Sequence, residues 1–165
     1  MKPKIEIKAV DYSDPADQAA LLSLLDMYAC DPMGGGQALT PAVKRQLCEK
    51  LAKFPGAVSF LALVDDQAVG LLNAFLGFST FKAKPLMNVH DIAVLAQWRG
   101  QGIGQALLQA IEAHAQSLGC CKLTLEVLSG NAPAQRTYRA FGFENYVLDP
   151  EAGVAGLMQK WLVST

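Results

Sequence analysis

A single stretch, Trp98-Arg99-Gly100-Gln101-Gly102-Ile103-Gly104, constrains this chain more than any other. It joins an apolar, strand-like run from Val89 to Leu95 to a run whose apolar residues recur at helical spacing: Ile103, Leu107, Ala110, Ile111 and Leu118. Three glycines at alternate positions let the backbone pass close to another molecule, and the N–H groups that open a helix have no partners inside it. A strand, a glycine turn and a helix N-terminus in that order make a place that binds phosphate. The same order also serves as a plain tight connection, and the turn alone does not separate the two readings.

Named phosphate motifs narrow the choice. The nucleotide P-loop fails, because no Lys-Ser or Lys-Thr follows Gly104. The dinucleotide fingerprint nearly fits, with Gly102 and Gly104 as its first two glycines and Glu126 as the ribose-binding acid, but its third small position is Leu107, which is expected to hold helix and strand apart. The pattern that fits without strain is Arg-x-x-Gly-x-Gly, here Arg99, Gly102 and Gly104. This stretch resembles the acetyl-CoA loop of the GNAT-type N-acetyltransferase superfamily. A second match supports it: Asn131-Ala132-Pro133-Ala134-Gln135-Arg136-Thr137-Tyr138, followed by Phe141-Gly142-Phe143, is similar to that family's Asn-x-x-Ala-x-x-x-Tyr helix and its Gly-Phe exit. Together the motifs cover roughly residues 88 to 145, the cofactor half; the N-terminal half matches only in its order of elements.

The resemblance implies a single domain over residues 1–165 of mixed α/β class. Its centre is a largely antiparallel sheet of about seven strands, flanked by helices on both faces. It implies acetyl-CoA as co-substrate and no metal. The backbone from Arg99 through Gly100, Gln101, Gly102, Ile103, Gly104 and Gln105 would hold the pyrophosphate, and that of Ile92, Ala93 and Val94 the pantetheine arm and thioester carbonyl. Asn131 would cap its helix and turn towards the pantetheine, with Ala134 keeping that face small. Tyr138 would lie near the coenzyme sulfur as general acid; the bland alternative is an aromatic core residue.

Acetyl transfer to an amine needs a held cofactor, a neutral amine, stabilisation of the developing oxyanion and a proton for the departing thiolate. Many members of the family place a Glu base on the strand before the loop; here that neighbourhood holds His90 and Asp91. Imidazole ordinarily titrates near neutrality, which suits removal of a proton from an ammonium substrate, so His90 is the candidate base; the alternative is a structural histidine. Plain strand alternation puts Asn88, His90, Ile92 and Val94 on one face and Val89, Asp91 and Ala93 on the other, which directs Asp91 away as an anchor between strand and helix. His114 reads as a packing or border residue. The function expected is acetyl-CoA-dependent N-acetylation of a primary amine by direct attack in a ternary complex. Two other readings stay open: a non-catalytic acyl-CoA-binding or sensing domain, and a dinucleotide-binding module.

Composition sets outer limits. A hydrophobic share of 52% with 18% charged residues belongs to a globular chain, and a formal net charge of −1 gives no footprint for nucleic acid. The start, Met1-Lys2-Pro3-Lys4, lacks the apolar core of a signal peptide and no apolar run approaches membrane-spanning length, so a cytoplasmic protein without a membrane partner is expected. Cys30, Cys48, Cys120 and Cys121 have neither metal-site nor Cys-x-x-Cys spacing and read as free thiols. The partner expected is a small-molecule or peptide amine; a homodimer is left open. Asp26 and Asp31 near the acceptor wall lean towards a small cationic amine.

Along the chain, Lys4 to Val10 alternates as a strand, and Ser13-Asp14-Pro15 opens a helix expected to end near Cys30. Gly34-Gly35-Gly36 reads either as a flexible hinge or as an acceptor loop. Thr40-Pro41 opens a second helix, and strands at 57–64 and 68–78 are joined by Asp65-Asp66-Gln67 as a hairpin. Phe75, Phe78 and Phe81 read as core or wall. A strand at about 86–95, the glycine loop, a helix stopped by Gly119, a strand at 122–127 and a helix at 131–141 follow, with two final strands near 143–148 and 154–162.

Overall fold

The computed structural model describes residues 4–162, and the chain divides into two compact units between Leu128 and Ser129. The first holds β1 (Ile5–Ala9), α1 (Pro15–Cys30), α2 (Pro41–Lys53), β2 (Ala57–Val64), β3 (Gln67–Ser79), β4 (Lys84–Val94), α3 (Ile103–Ser117) and β5 (Leu123–Leu125). Its strands lie in sequence order; β1 to β4 pair antiparallel and β5 joins β4 in parallel. A parallel neighbour requires a crossover, and α3 supplies it.

Local chemistry accounts for the boundaries. Asp14 accepts from the Ala16 amide and Thr40 from the Val43 amide, each just before a proline whose missing N–H costs nothing at a helix start. Asp65 and Asp66 both take positive φ, 48° and 62°, the two-residue turn whose twist matches that of the flanking strands.

Successive residues of β3 show how the sheet is covered. Leu71 packs with Leu21, Leu24, Cys48, Leu51 and Leu61, so α1 and α2 cover one face. At Gly70, on the opposite face, an added Cβ would lie 3.0 Å from Ile103 and 3.2 Å from Leu107 of α3. Leu107 therefore does not hold helix and strand apart as expected: the small residue that permits close approach sits on the strand. Along α3, Ile103, Leu107, Leu108, Ile111 and Ala115 are buried, while His114 borders the core with its ring against Phe60. Burial raises the Cys48 thiol pKa, and all four cysteines are free.

The second unit contains α4 (Ala132–Phe141). Asn131 caps its start, and Gly142 at φ 109° lets the Gly142 and Phe143 amides fold back onto the carbonyls of Arg139 and Tyr138. The two strands expected near 143–148 and 154–162 are not formed, so the sheet among the described residues has five strands; the mixed α/β class stands. The Ala155 amide reaches back to the Tyr146 carbonyl across a short turn at Pro150–Ala152, but no ladder follows, and Leu157, Met158 and Trp161 stay exposed. Apolar residues in a run make a strand only where a neighbouring backbone takes up its hydrogen bonds, and an isolated two-stranded hairpin is marginal.

Candidate active site

The glycine stretch leaves β4 through a short turn at Ala96–Trp98 and enters α3 through two left-handed residues, Gly100 at φ 74° and Gly102 at φ 89°. Gly102 occupies the N-cap position and offers no side chain to the first amides of α3. Among the described residues, nothing lies within 4 Å of a Cβ built on either glycine. The loop therefore owes its glycines to backbone conformation and leaves open space beside amides that lack helical acceptors, which fits the pyrophosphate of coenzyme A. Ile103 is buried and anchors the helix start, and the Gln101 side chain donates to the Gln97 carbonyl. Arg99 is partly engaged inside the protein: its Nε donates to the Val94 carbonyl at 3.0 Å, and its guanidinium lies 3.7 Å from Asp31.

One irregularity in β4 reorganises the residues before the loop. Asn73 faces Asp91 and Ala74 faces Val89, so His90 is an extra residue, a β-bulge. The bulge reverses the alternation beyond it. Asn73 Nδ2 donates to Asp91 Oδ2 at 3.0 Å, and the His90 ring meets Phe75 edge-on at 5.6 Å. Asn73 and Phe75 are two apart on one strand and share a face, so His90 and Asp91 share it too. The expectation that Asp91 points away from His90 is corrected by this bulge. His90 is exposed at its edge contact, and Phe75 is held in turn against Phe54 at 5.5 Å.

Beyond the bulge, β4 runs past the end of its pairing with β5. The Leu95 amide bonds to the Val69 carbonyl, which makes that pair and every second residue of β4 back to Asp91 face β3. The N–H and C=O groups of Ile92 and Val94 therefore point the other way, towards the β5 side. There the β4–β5 ladder ends at Val89 and Leu125. Ala93 is buried towards α1, with its backbone turned to β3.

The acidic residues divide by role. Asp26 accepts from Lys44 at 2.6 Å and from the Leu39 amide at 2.8 Å, which lowers its carboxyl pKa; it fastens α1 to α2 and is not turned to an acceptor. Asp31 accepts from the Met33 amide, and its carbonyl takes the amides of Gly34 and Gly36. The glycine triplet is thus a hydrogen-bonded turn. Gly34 permits close approach, since a Cβ there would lie 2.0 Å from the Tyr28 carbonyl oxygen. Burial raises the Tyr28 phenol pKa, and the Asp91 and Asp31 charges raise it further.

In the second unit Asn131 Oδ1 accepts from the Ala134 amide at 3.3 Å, the capping role expected of it. Tyr138 lies one helical turn further along α4, its ring edge-on to Phe143 at 6.0 Å. Sequence reasoning passed over Tyr12, Ser59 and Asn73, which connect to Asp91 through hydrogen bonds. The available signal was a lone polar residue inside each of two apolar strands, Ala57–Val64 and Gln67–Ser79. Among the described residues no group of three or more His, Cys, Asp or Glu could hold a metal ion, and no helix is long and apolar enough to cross a membrane.

The sequence model of the acetyltransferase (GNAT) family matches residues 21–143. An aminoglycoside N(6')-acetyltransferase type 1 of Stenotrophomonas maltophilia is 30% identical over 136 residues, covering 79% of this chain and 82% of its own length. An N-alpha-acetyltransferase of Sulfurisphaera tokodaii is 39% identical over 95 residues, covering 53% of this chain and 57% of its own length. The solved structure of the aminoglycoside N-acetyltransferase AAC(6')-Iy with coenzyme A shares the fold, with a TM-score of 0.73 at 16% identity over 98% of this chain and 97% of that chain. The loop with its two left-handed glycines and the family match across most of the chain lead to one conclusion: this protein belongs to the GNAT family of acetyltransferases and is an acetyl-CoA-dependent N-acetyltransferase.

Proposed function

We propose that the chain acetylates a small cationic primary amine by direct attack within a ternary complex, with His90 as the base. The observation that carries this reading is the bulge, which brings an exposed imidazole and a carboxylate to one face of β4 just before the Ile92 and Val94 backbone turns away from β3, beyond the end of the β5 ladder. Bound acetyl-CoA supplies an activated acetyl group as a thioester. His90 takes the proton that the ammonium must lose before its nitrogen can form the new C–N bond. The amides of Ile92 and Val94 are the donors available to a carbonyl oxygen on which negative charge builds. As the C–S bond breaks, the Tyr138 hydroxyl gives its proton to the sulfur, a role that rests on the motif from Asn131 to Tyr138. The aminoglycoside relative supports a cationic small-molecule acceptor. Free cysteines suit a reducing compartment, and we assign the reaction to the cytoplasm.

His90→Gln tests the base. Glutamine has similar reach and polarity but takes no proton in this range. An alkyl amine arrives mostly protonated at about pH 7 and increasingly free towards about pH 9. The variant's loss in kcat/KM should therefore shrink across that window. A loss independent of pH makes His90 a positioning residue, and no loss transfers the role to Asp91 or ordered water.

A further inference from the structure

The middle of the sheet carries polar residues that the reaction as described does not use. Ser59 is 1% exposed and Asn73 is 3% exposed, each within an apolar strand. Leaving such a group without a partner costs about 1–3 kcal/mol, so both must be satisfied. The register sets Ser59 opposite Asn73 and Asn73 opposite Asp91, three polar residues side by side on adjacent strands.

Their protons run in one direction. The Asp91 carboxylate only accepts, so Asn73 must present its Nδ2, which donates at 3.0 Å. Asn73 Oδ1 is then turned to Ser59, whose Oγ donates to it at 2.5 Å. That uses the only proton of Ser59, so at the far end the Tyr12 hydroxyl donates to Ser59 Oγ at 2.7 Å. Among the described residues no buried side-chain nitrogen or oxygen lacks a partner, so the chain of bonds is complete. Without the extra residue at His90, Asp91 would face the opposite side of the sheet and the Asn73 amide would lose its acceptor. The Asp91 charge also reaches across to α1, where with Asp31 it raises the pKa of the Tyr28 phenol beyond what burial does.

We propose that Asp91 anchors the ammonium group of the acceptor beside His90, and that Tyr12, Ser59 and Asn73 are positioning residues that fix the Asp91 carboxylate for that task. This deepens, and rests on, the acetyl-transfer reading above. One carboxylate oxygen is tied to Asn73, which restrains the group and leaves the other for a cation. A pre-oriented anion holds an ammonium without the ordering cost of a mobile side chain.

The test compares two acceptors with the full chain. One is an alkyl ammonium; the other is a hydrazide, whose low basicity brings it to the site neutral. Asn73→Leu preserves shape and removes both hydrogen bonds. The expected result is a KM for the alkyl ammonium raised about tenfold or more, the size of a lost charge-assisted contact. Its kcat should change little, and the KM values for the hydrazide and acetyl-CoA should hold. Tyr12→Phe, at the half-buried outer end, should shift the same KM in the same direction by a smaller factor. Asp91→Asn should reproduce the Asn73→Leu discrimination even if Asn73→Leu fails to fold. Equal losses for both acceptors, a fall in kcat alone, or unchanged kinetics in Asp91→Asn would overturn the anchor. A wild-type chain that binds acetyl-CoA yet acetylates neither acceptor would instead overturn the acetyl-transfer reading, and the anchor with it.

Discussion

Replacing Gly102 with alanine separates what the loop does for the fold from what it does for coenzyme A. Gly102 sits at φ 89° with nothing among the described residues within 4 Å of an added Cβ, so the methyl meets none of their atoms and the cost is conformational. A left-handed alanine costs about 1–2 kcal/mol, and the less flexible unfolded chain returns about 0.4–1 kcal/mol. The net loss is about 1 kcal/mol, a fall in Tm of roughly 2–4 °C for a chain of this size. Binding should suffer far more. The methyl would stand in the space that phosphate must enter, and each amide-to-phosphate bond is worth about 1.5–3 kcal/mol, so one lost bond weakens binding roughly 10- to 150-fold. Gly119→Ala is the matched control. Gly119 follows the other end of α3 at φ 73° with the same open surroundings, so it carries the same strain with no part in the loop. Calorimetric titration of acetyl-CoA into both variants, with thermal melts, gives the comparison. If Gly102→Ala binds acetyl-CoA no more weakly than Gly119→Ala, the loop does not hold the pyrophosphate.

Two further perturbations address other parts of the account. Tyr138→Phe keeps the ring that packs against Phe143 and removes the acidic proton, so kcat should fall about 10²–10⁴-fold with acetyl-CoA affinity nearly unchanged; a loss in affinity without a loss in rate would make Tyr138 a packing residue. Asp17, buried at the start of α1, accepts from Lys8 at 2.7 Å and from the Asp11 amide at 2.9 Å. Burial pushes its carboxyl up, but these two donors outweigh it and hold the pKa below the ordinary carboxylate value. A depressed carboxyl contributes stability that is present above the unfolded pKa and lost as pH falls through the folded one. Asp17→Asn should therefore cost about 1–2 kcal/mol in urea unfolding at pH 7, a modest figure because Lys8 is largely solvated. The gap from wild type should close below about pH 4. An equal gap at both pH values would refute the linkage.

The reach of the sequence can be read residue by residue. Asp14-Pro15 and Thr40-Pro41 announced α1 and α2 because capping is local: the side chain that satisfies a helix's first amides is a sequence neighbour of those amides. Asp65-Asp66 announced the β2–β3 turn for the same reason. The glycine turn into α3 was legible because glycines with positive φ cannot readily be replaced by other residues. The bulge at His90 was not legible. One extra residue leaves a strand's composition unchanged, yet it moves every later side chain to the other face, and it brought Asp91 beside His90. Ser59 and Asn73 were visible as polar interruptions, but only the register of three strands shows that they meet. The two final strands failed for the complementary reason. Val154, Leu157 and Trp161 have strand-like character, but a strand exists only in a ladder.

The most direct test of the account is thiol release from acetyl-CoA by the purified chain, followed with a thiol reagent across a panel of primary amines, with the product identified by mass. Release should require added amine, and each thiol released should be matched by one acetylated amine. Binding of acetyl-CoA with no amine-dependent release from any member of the panel would contradict it, and would leave the glycine loop as part of an acyl-CoA-binding domain without catalysis.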